Sequence, residues 1–407
     1  MHSQTSSQPR PPYVVLIALL GALAGLTPLA IDMYLPSIPT MAGEFSVPVE
    51  VMQYTVSFYL LGFAFGQLLY GPLTDSLGRM PILMGGLGLF AVASVACALA
   101  QTVEQLIVAR VLQAAGGAAG SVIVMALLRD LFERDQFARA MSFGMLVMNL
   151  APLAAPVLGG YLLLFFGWHS IFWVLAIVAA VLAISIGLVI GETLPKFARA
   201  PLKLSSALAT YGRILKHRRC MGYQLIGIGA SAALFAFITG SPFVYIQYYQ
   251  VPPEQFGYYF GANILMMMTL TSLNARYVAR LGSVKMLGIG LAIGVTGAML
   301  LILGQWLAIE SVWVVVLPVV MIMGPMGLIS ANAAALSLDE FDGAAGSVSA
   351  LGGFMRFLAG ALIGGLMGLV HSDSPWTLVG AMSSCLIGSG LVYLWMVRGR
   401  MAAQGTS

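Results

Sequence analysis

The chain has 407 residues, 59% of them hydrophobic and only 8% charged, with a mean hydropathy of +0.93. Soluble domains carry roughly 25% charged residues, so a string of soluble domains is excluded and most of the chain belongs in lipid. The net charge of +4 therefore reads as an orientation signal rather than a nucleic-acid footprint.

A hydrocarbon core needs about 20 apolar residues per helix. By that measure the chain reads as twelve spans, with cores near 13–34, 52–70, 81–100, 106–128, 140–165 and 171–190, then 223–245, 256–275, 286–307, 312–336, 344–370 and 376–397. Residues 1–12 are polar and precede a full-length span with no small-residue cleavage site, so they are expected to form a cytoplasmic tail. Residues 13–191 form a first six-helix bundle, 192–220 a basic cytoplasmic linker resting against the anionic leaflet, 221–398 a second bundle and 399–407 a second cytoplasmic tail. The expected fold is thus an all-α integral membrane protein of two pseudo-symmetric six-helix bundles.

Charge supports this topology. Of the 19 Lys and Arg residues, all but Arg110 and Arg356 fall on the side of the N-terminus, while the opposite loops carry Glu44, Glu50, Glu104, Glu254, Glu310 and Asp373. So complete an asymmetry places both termini inside. The halves also echo each other: Leu77-Gly78 followed by Ile82-Leu83 returns as Leu281-Gly282 followed by Met286-Leu287. Likewise Ala155 to Gly160 returns as Gly360 to Gly365, at an offset of about 204 residues, the mark of an internal repeat.

Enzyme motifs are missing. No Lys follows a Gly, and there is neither His-Glu-x-x-His nor Gly-x-Ser-x-Gly, which removes phosphate-cradling loops and the commonest hydrolase sites. Cys97, Cys220 and Cys385 are far apart and lack metal-ligand spacing. Glycine pairs such as Gly62/Gly66 and Gly116/Gly120 fit close helix packing. No enzyme activity, metal or cofactor is expected.

What stands out is charge inside oil. Asp32 closes a run, 13–31, that has no charged residue, and an intramembrane acid is a functional hypothesis by default. Arg110 lies about four residues into the fourth span, and at 1.5 Å of rise per residue the two depths agree within about one helical turn. Arg110 is therefore expected to face the same cavity as Asp32 and offset its cost. The pair then either handles protons or is a permanent tie between spans one and four. Arg356 has no acid at matching depth; it is expected to serve substrate or gating, or to bond carbonyls, Asn263 or Asn332. Tyr34, Asn149, Gln224, Phe235, Tyr245 and Asn332, with Arg356, make a candidate cavity that is mostly apolar with a few polar groups.

Between spans two and three runs Gly71-Pro72-Leu73-Thr74-Asp75-Ser76-Leu77-Gly78-Arg79-Met80-Pro81. Asp75 is expected at the N-terminal end of span three, where unpaired N–H groups favour an anion, leaving Arg79 to reach Asp130 as a conformational latch. This stretch resembles the signature loop of the major facilitator superfamily, with Ser76 and Met80 where a basic residue is frequent. Arg110-Val111-Leu112-Gln113 resembles that superfamily's buried arginine motif, with Ala114 for the usual glycine. Ala155-Pro156 with Gly159-Gly160 resembles its antiporter motif. Asp32 to Pro36, Arg129-Asp130, Glu192 to Pro195 and Ser241 to Tyr245 together look like the bicyclomycin-resistance and chloramphenicol-efflux (Bcr/CflA) subfamily.

The resemblance covers nearly the whole chain. It implies a monomeric multidrug exporter of the bacterial inner membrane that exchanges small amphiphilic drugs for protons, with the proton gradient as its energy source. Its partners would be the drug, protons and the bilayer, with no nucleic acid. A proton-coupled carrier of a metabolite such as an amino acid or sugar, or a non-transporting receptor or scaffold, remains the alternative, because carrier architecture does not fix substrate.

Overall fold

The computed structural model describes residues 12–132, 134–195, 197, 199, 204–341, 345–370 and 374–404, and among these there is no strand. The helices are α1 (Tyr13–Asp32), α2 (Ile38–Glu44), α3 (Val49–Leu77), α4 (Arg79–Ala98), α5 (Val103–Leu131), α6 (Arg134–Phe166), α7 (His169–Val189) and α8 (Leu204–Lys216). They continue as α9 (Arg218–Pro242), α10 (Pro253–Leu281), α11 (Ser283–Trp306), α12 (Trp313–Met323), α13 (Met326–Asp339), α14 (Ala345–Leu369) and α15 (Trp376–Gln404).

Eleven segments among the described residues are long and apolar enough to cross a membrane. Three are compound, and proline marks each joint: α1 passes through a 3₁₀ turn at Leu35–Ser37 into α2, α9 ends at Pro242 before a π turn at Phe243–Tyr248, and Pro325 separates α12 from α13. Proline has no N–H to donate, so the ladder breaks there. Of the twelve expected spans, the eighth, α10, is outside this set. Asn263, Asn274, Arg276 and Arg280 dilute its apolar residues, and both asparagines are buried. Asn274 accepts from Asn332 Nδ2 at 2.7 Å, so part of α10's polarity is answered by protein.

The repeat has a geometric counterpart. α3 and α10 both stop at a glycine of positive φ, Gly78 at +108° and Gly282 at +79°, a conformation that costs glycine little. Each of the next helices then starts one residue on.

α1 and α3 to α7 pack mainly with one another, as do α9 to α15. Among the described residues the two longest seams between the sets run where α3 lies along α14 and α6 lies along α10. Within the first set, a Cβ on Gly62 would come within 2.6 Å of Val111 O, so glycine is what lets α3 approach α5 so closely.

One element departs from expectation. The linker contains α8, an amphipathic helix whose Ile214 is buried with Cys220, Val348 and Leu351 while Leu208 and Leu215 stay exposed. The basic residues around it hide a short apolar stripe at helical spacing.

Candidate functional site

A cavity of about 960 Å³ opens between the two sets of helices on the face that carries Arg79, Arg129 and α8. Helices α3, α5, α9 and α14 form its walls. Deep in it, Phe357 lies 4.5 Å from Phe63 and 5.2 Å from Phe235, ring centroid to ring centroid, so rings from α3, α9 and α14 meet there. Phe235, Phe357 and Arg356 line the space, with Gln67 and Met125 beside them. Arg356 Nε donates to Gly352 O, one turn back, at 3.1 Å. It meets neither Asn263, which donates to Tyr259 O, nor Asn332.

The opposite face is closed by close backbone approach within the first set and between the sets. A Cβ on Gly159 would collide with Met33 O, one on Gly160 would lie 2.9 Å from Glu254 Cα, and one on Gly257 would lie 2.6 Å from Val157 N. The Ala155, Pro156, Gly159 and Gly160 stretch thus packs α6 against the end of α1 and the start of α10.

Asp32 is buried near this closed face, on the last turn of α1, and its Oδ1 has no hydrogen-bond partner among the described residues. Arg110 is fully buried too, yet among the described residues no ion pair joins them. Arg110 Nη1 donates to Ala30 O at 2.9 Å and to Gln113 Oε1 at 2.6 Å. Its guanidinium carbon sits 4.3 Å from the Tyr34 ring centroid and 4.1 Å from that of Tyr59, and Gln113 passes the chain of bonds to Ser94. The expectation that Arg110 offsets the cost of Asp32 is therefore corrected: the depth matches, since Arg110 reaches α1 at Ala30 O, but its bonds go to that carbonyl and to Gln113 rather than to the carboxylate.

At the basic face Arg79 Nε donates to Asp130 Oδ2 at 2.8 Å and Nη1 to Asp75 Oδ1 at 3.3 Å. Asp75, however, ends α3 and does not cap α4, contrary to expectation. Glu192 takes that place: its carboxylate accepts from Arg79 N at 3.0 Å and from Met80 N at 3.3 Å, which suits the positive end of α4. Thr193 Oγ1 donates to the same Asp130 Oδ2 at 2.8 Å, and Arg199 reaches Glu192 at 3.7 Å. Gly78 is hemmed in by Glu192 and Arg199, whereas nothing crowds Gly71, which borders the cavity.

Of the residues expected to line a cavity, Phe235 and Arg356 do. Tyr34 is buried under Arg110 and bonds Thr55. Gln224 donates to Ser337 Oγ and Val348 O, Tyr245 packs edge-on against Phe237 and Phe256, and Asn332 is held by Asn274 and Leu328 O. These four stabilise helix contacts. The side chain of Asn149 lies outside the described residues. Gln67, Phe63 and Phe357 escaped the sequence reading. Gln67, a lone amide one turn before Gly71, carried a signal; an aromatic in an oily span carries none.

Residues 20–365 match the sequence profile of the Major Facilitator Superfamily. A bicyclomycin resistance protein homolog from Haemophilus influenzae is 37% identical over 96% of this chain and 98% of its own length. A chloramphenicol resistance protein from Pseudomonas aeruginosa is 28% identical over 89% of this chain and 86% of its own. Among solved structures, the human organic anion transporter MFSD10 shares the fold with a TM-score of 0.64 at 19% identity, over 95% of this chain and 99% of that one.

Proposed function

Since this chain belongs to the Major Facilitator Superfamily, and is a transporter rather than an enzyme, we propose that it exports small amphiphilic drugs of the chloramphenicol or bicyclomycin kind in exchange for protons. The names of its relatives support that substrate class. The observation that carries the mechanism is the pairing of a cavity open on one face with a buried acid near the closed one, Asp32, whose Oδ1 has no hydrogen-bond partner among the described residues. Intramembrane acids of this kind mark ion pathways.

In this reading α10 is the eighth of twelve spans, both termini are cytoplasmic, and the protein works as a monomer in the bacterial inner membrane. The charge asymmetry then makes the cavity inward-open. Opening of the outer face lets Asp32 take a proton while drug leaves. The loaded acid returns the protein to the inward-open form, and drug arriving from the cytosol favours release of that proton. Coupling requires each ligand to prefer a different state of the carrier, so an acid that cannot ionise breaks it.

Asp32→Asn tests this. In bacteria stripped of their own pumps the wild type should raise resistance to chloramphenicol and the variant should not, although both reach the membrane in equal amount. In proteoliposomes, reversing the pH gradient should reverse the drug flux of the wild type alone. A variant that exchanges drug for protons at the normal rate would sink the proton role. Flux driven in the same direction as protons would favour a metabolite symporter instead.

A further inference from the structure

We propose that Arg356 sets the charge class of the substrate: it binds the anionic or strongly hydrogen-bond-accepting end of an aromatic amphiphile whose ring lies against Phe235 and Phe357, and it rejects organic cations. The inference rests on the cavity being the drug site.

The charge balance of the cavity is the first support. Its walls and mouth hold Arg79, Arg129 and Arg356 against Asp75, and Asp75 and Asp130 are both already taken by Arg79. Neither Arg129 nor Arg356 has a carboxylate within 4.0 Å among the described residues. The cavity therefore presents uncompensated positive charge, and low-dielectric walls focus such a field.

Position is the second. Arg129 is exposed at the mouth, where water screens it, whereas Arg356 is half-buried beside the aromatic rings. Its Nε is tied back to Gly352 O, which fixes the side chain and leaves the two Nη groups as the fork that matches a carboxylate, nitro or amide oxygen. Phe235 and Phe357, 5.2 Å apart, supply the surface on which an aromatic ring stacks. Ring and acceptor sites are thus adjacent, on α9 and α14.

The test uses three ligands built on one ring, 2-naphthoate, 2-naphthamide and 2-naphthylmethylammonium, and equilibrium binding to purified full-length protein. Wild type should bind the naphthoate at least about tenfold more tightly than the ammonium, a gap of about 1.4 kcal/mol. Arg356→Gln should remove that preference while leaving the amide within about threefold, Arg356→Lys should keep the order, and Arg356→Glu should reverse it. Phe235→Ala should weaken all three. Because Arg356→Lys and Arg356→Glu make opposite predictions, a misfolded Gln variant does not decide the matter. Equal binding of anion and cation by wild type, or an order unchanged in Arg356→Glu, overturns the proposal. If the Arg356-dependent order is found but no pH gradient drives chloramphenicol, the exchange reading falls and the charge rule stands.

Discussion

Arg110 shows how a charge can be held inside a helical bundle with no counter-ion among the described residues. Removing an ion from water costs several kcal/mol, and here neither Nε nor Nη2 finds an acceptor. What offsets the cost is the sandwich between Tyr34 and Tyr59, since a desolvated cation over an aromatic face gains about 2 kcal/mol or more, together with the two bonds of Nη1. A guanidinium suits this slot because it is flat and weakly hydrated; an ammonium is neither. Arg110→Lys should therefore keep the charge yet lower stability by about 2 kcal/mol, read as a fall in the thermal unfolding midpoint of detergent-purified protein. An unchanged midpoint would mean that the rings do not hold the cation. Asp32 has no such company, and that contrast singles it out from the other buried polar groups as the one to test for proton exchange.

At the scale of elements, the join between α3 and α4 depends on a residue far along the chain. Glu192 stands 113 residues from Arg79 in sequence but closes the first turn of α4 and draws in Arg199. Losing a side-chain cap costs about 0.5–2 kcal/mol. Glu192→Ala should thus speed amide hydrogen exchange at Arg79 and Met80 by roughly tenfold, with little change at the other end of α4; equal exchange would assign the cap elsewhere. This join also marks what a sequence can and cannot yield. Eleven of the expected spans, the repeat that carries Gly78 and Gly282, and the Arg79 to Asp130 reach were legible, because they follow from local apolarity, an internal echo and the placing of Arg79 and Asp130 at span ends on one face of the membrane. The substitution of Glu192 for Asp75 was not, since nothing local identifies a cap that arrives from the next linker. Rotation about a helix axis was equally hidden: depth along α1 and α5 could be counted from residue rise, but which way Asp32 and Arg110 turn depends on packing partners. For the same reason Gln224, Tyr245 and Asn332 looked like cavity residues while they serve neighbouring helices.

For the whole molecule, the two seams differ in kind. Along α3 and α14 contact includes large rings such as Phe63 on Phe357, whereas near the closed face α6 and α10 meet backbone to backbone at Val157 and Gly257. Alternating access requires the closed face to part, and close-packed surfaces switch between discrete arrangements rather than stretching. In the proposed exchange cycle the α6 and α10 contact would then break at every turnover. A Tyr161→Cys, Tyr258→Cys pair would place thiols across it, since the two hydroxyls meet at 3.1 Å and both residues are exposed, so a reducible bis-methanethiosulfonate reagent can bridge the space the rings leave. Cys97 and Cys220 are buried and Cys385 half-buried, so the new pair should react first. Cross-linking should lock the form seen here and stop drug flux, reduction should restore it, and neither single variant should be blocked by the reagent. Full flux in the cross-linked double variant would show that this seam stays closed throughout the cycle and that the drug leaves by another route.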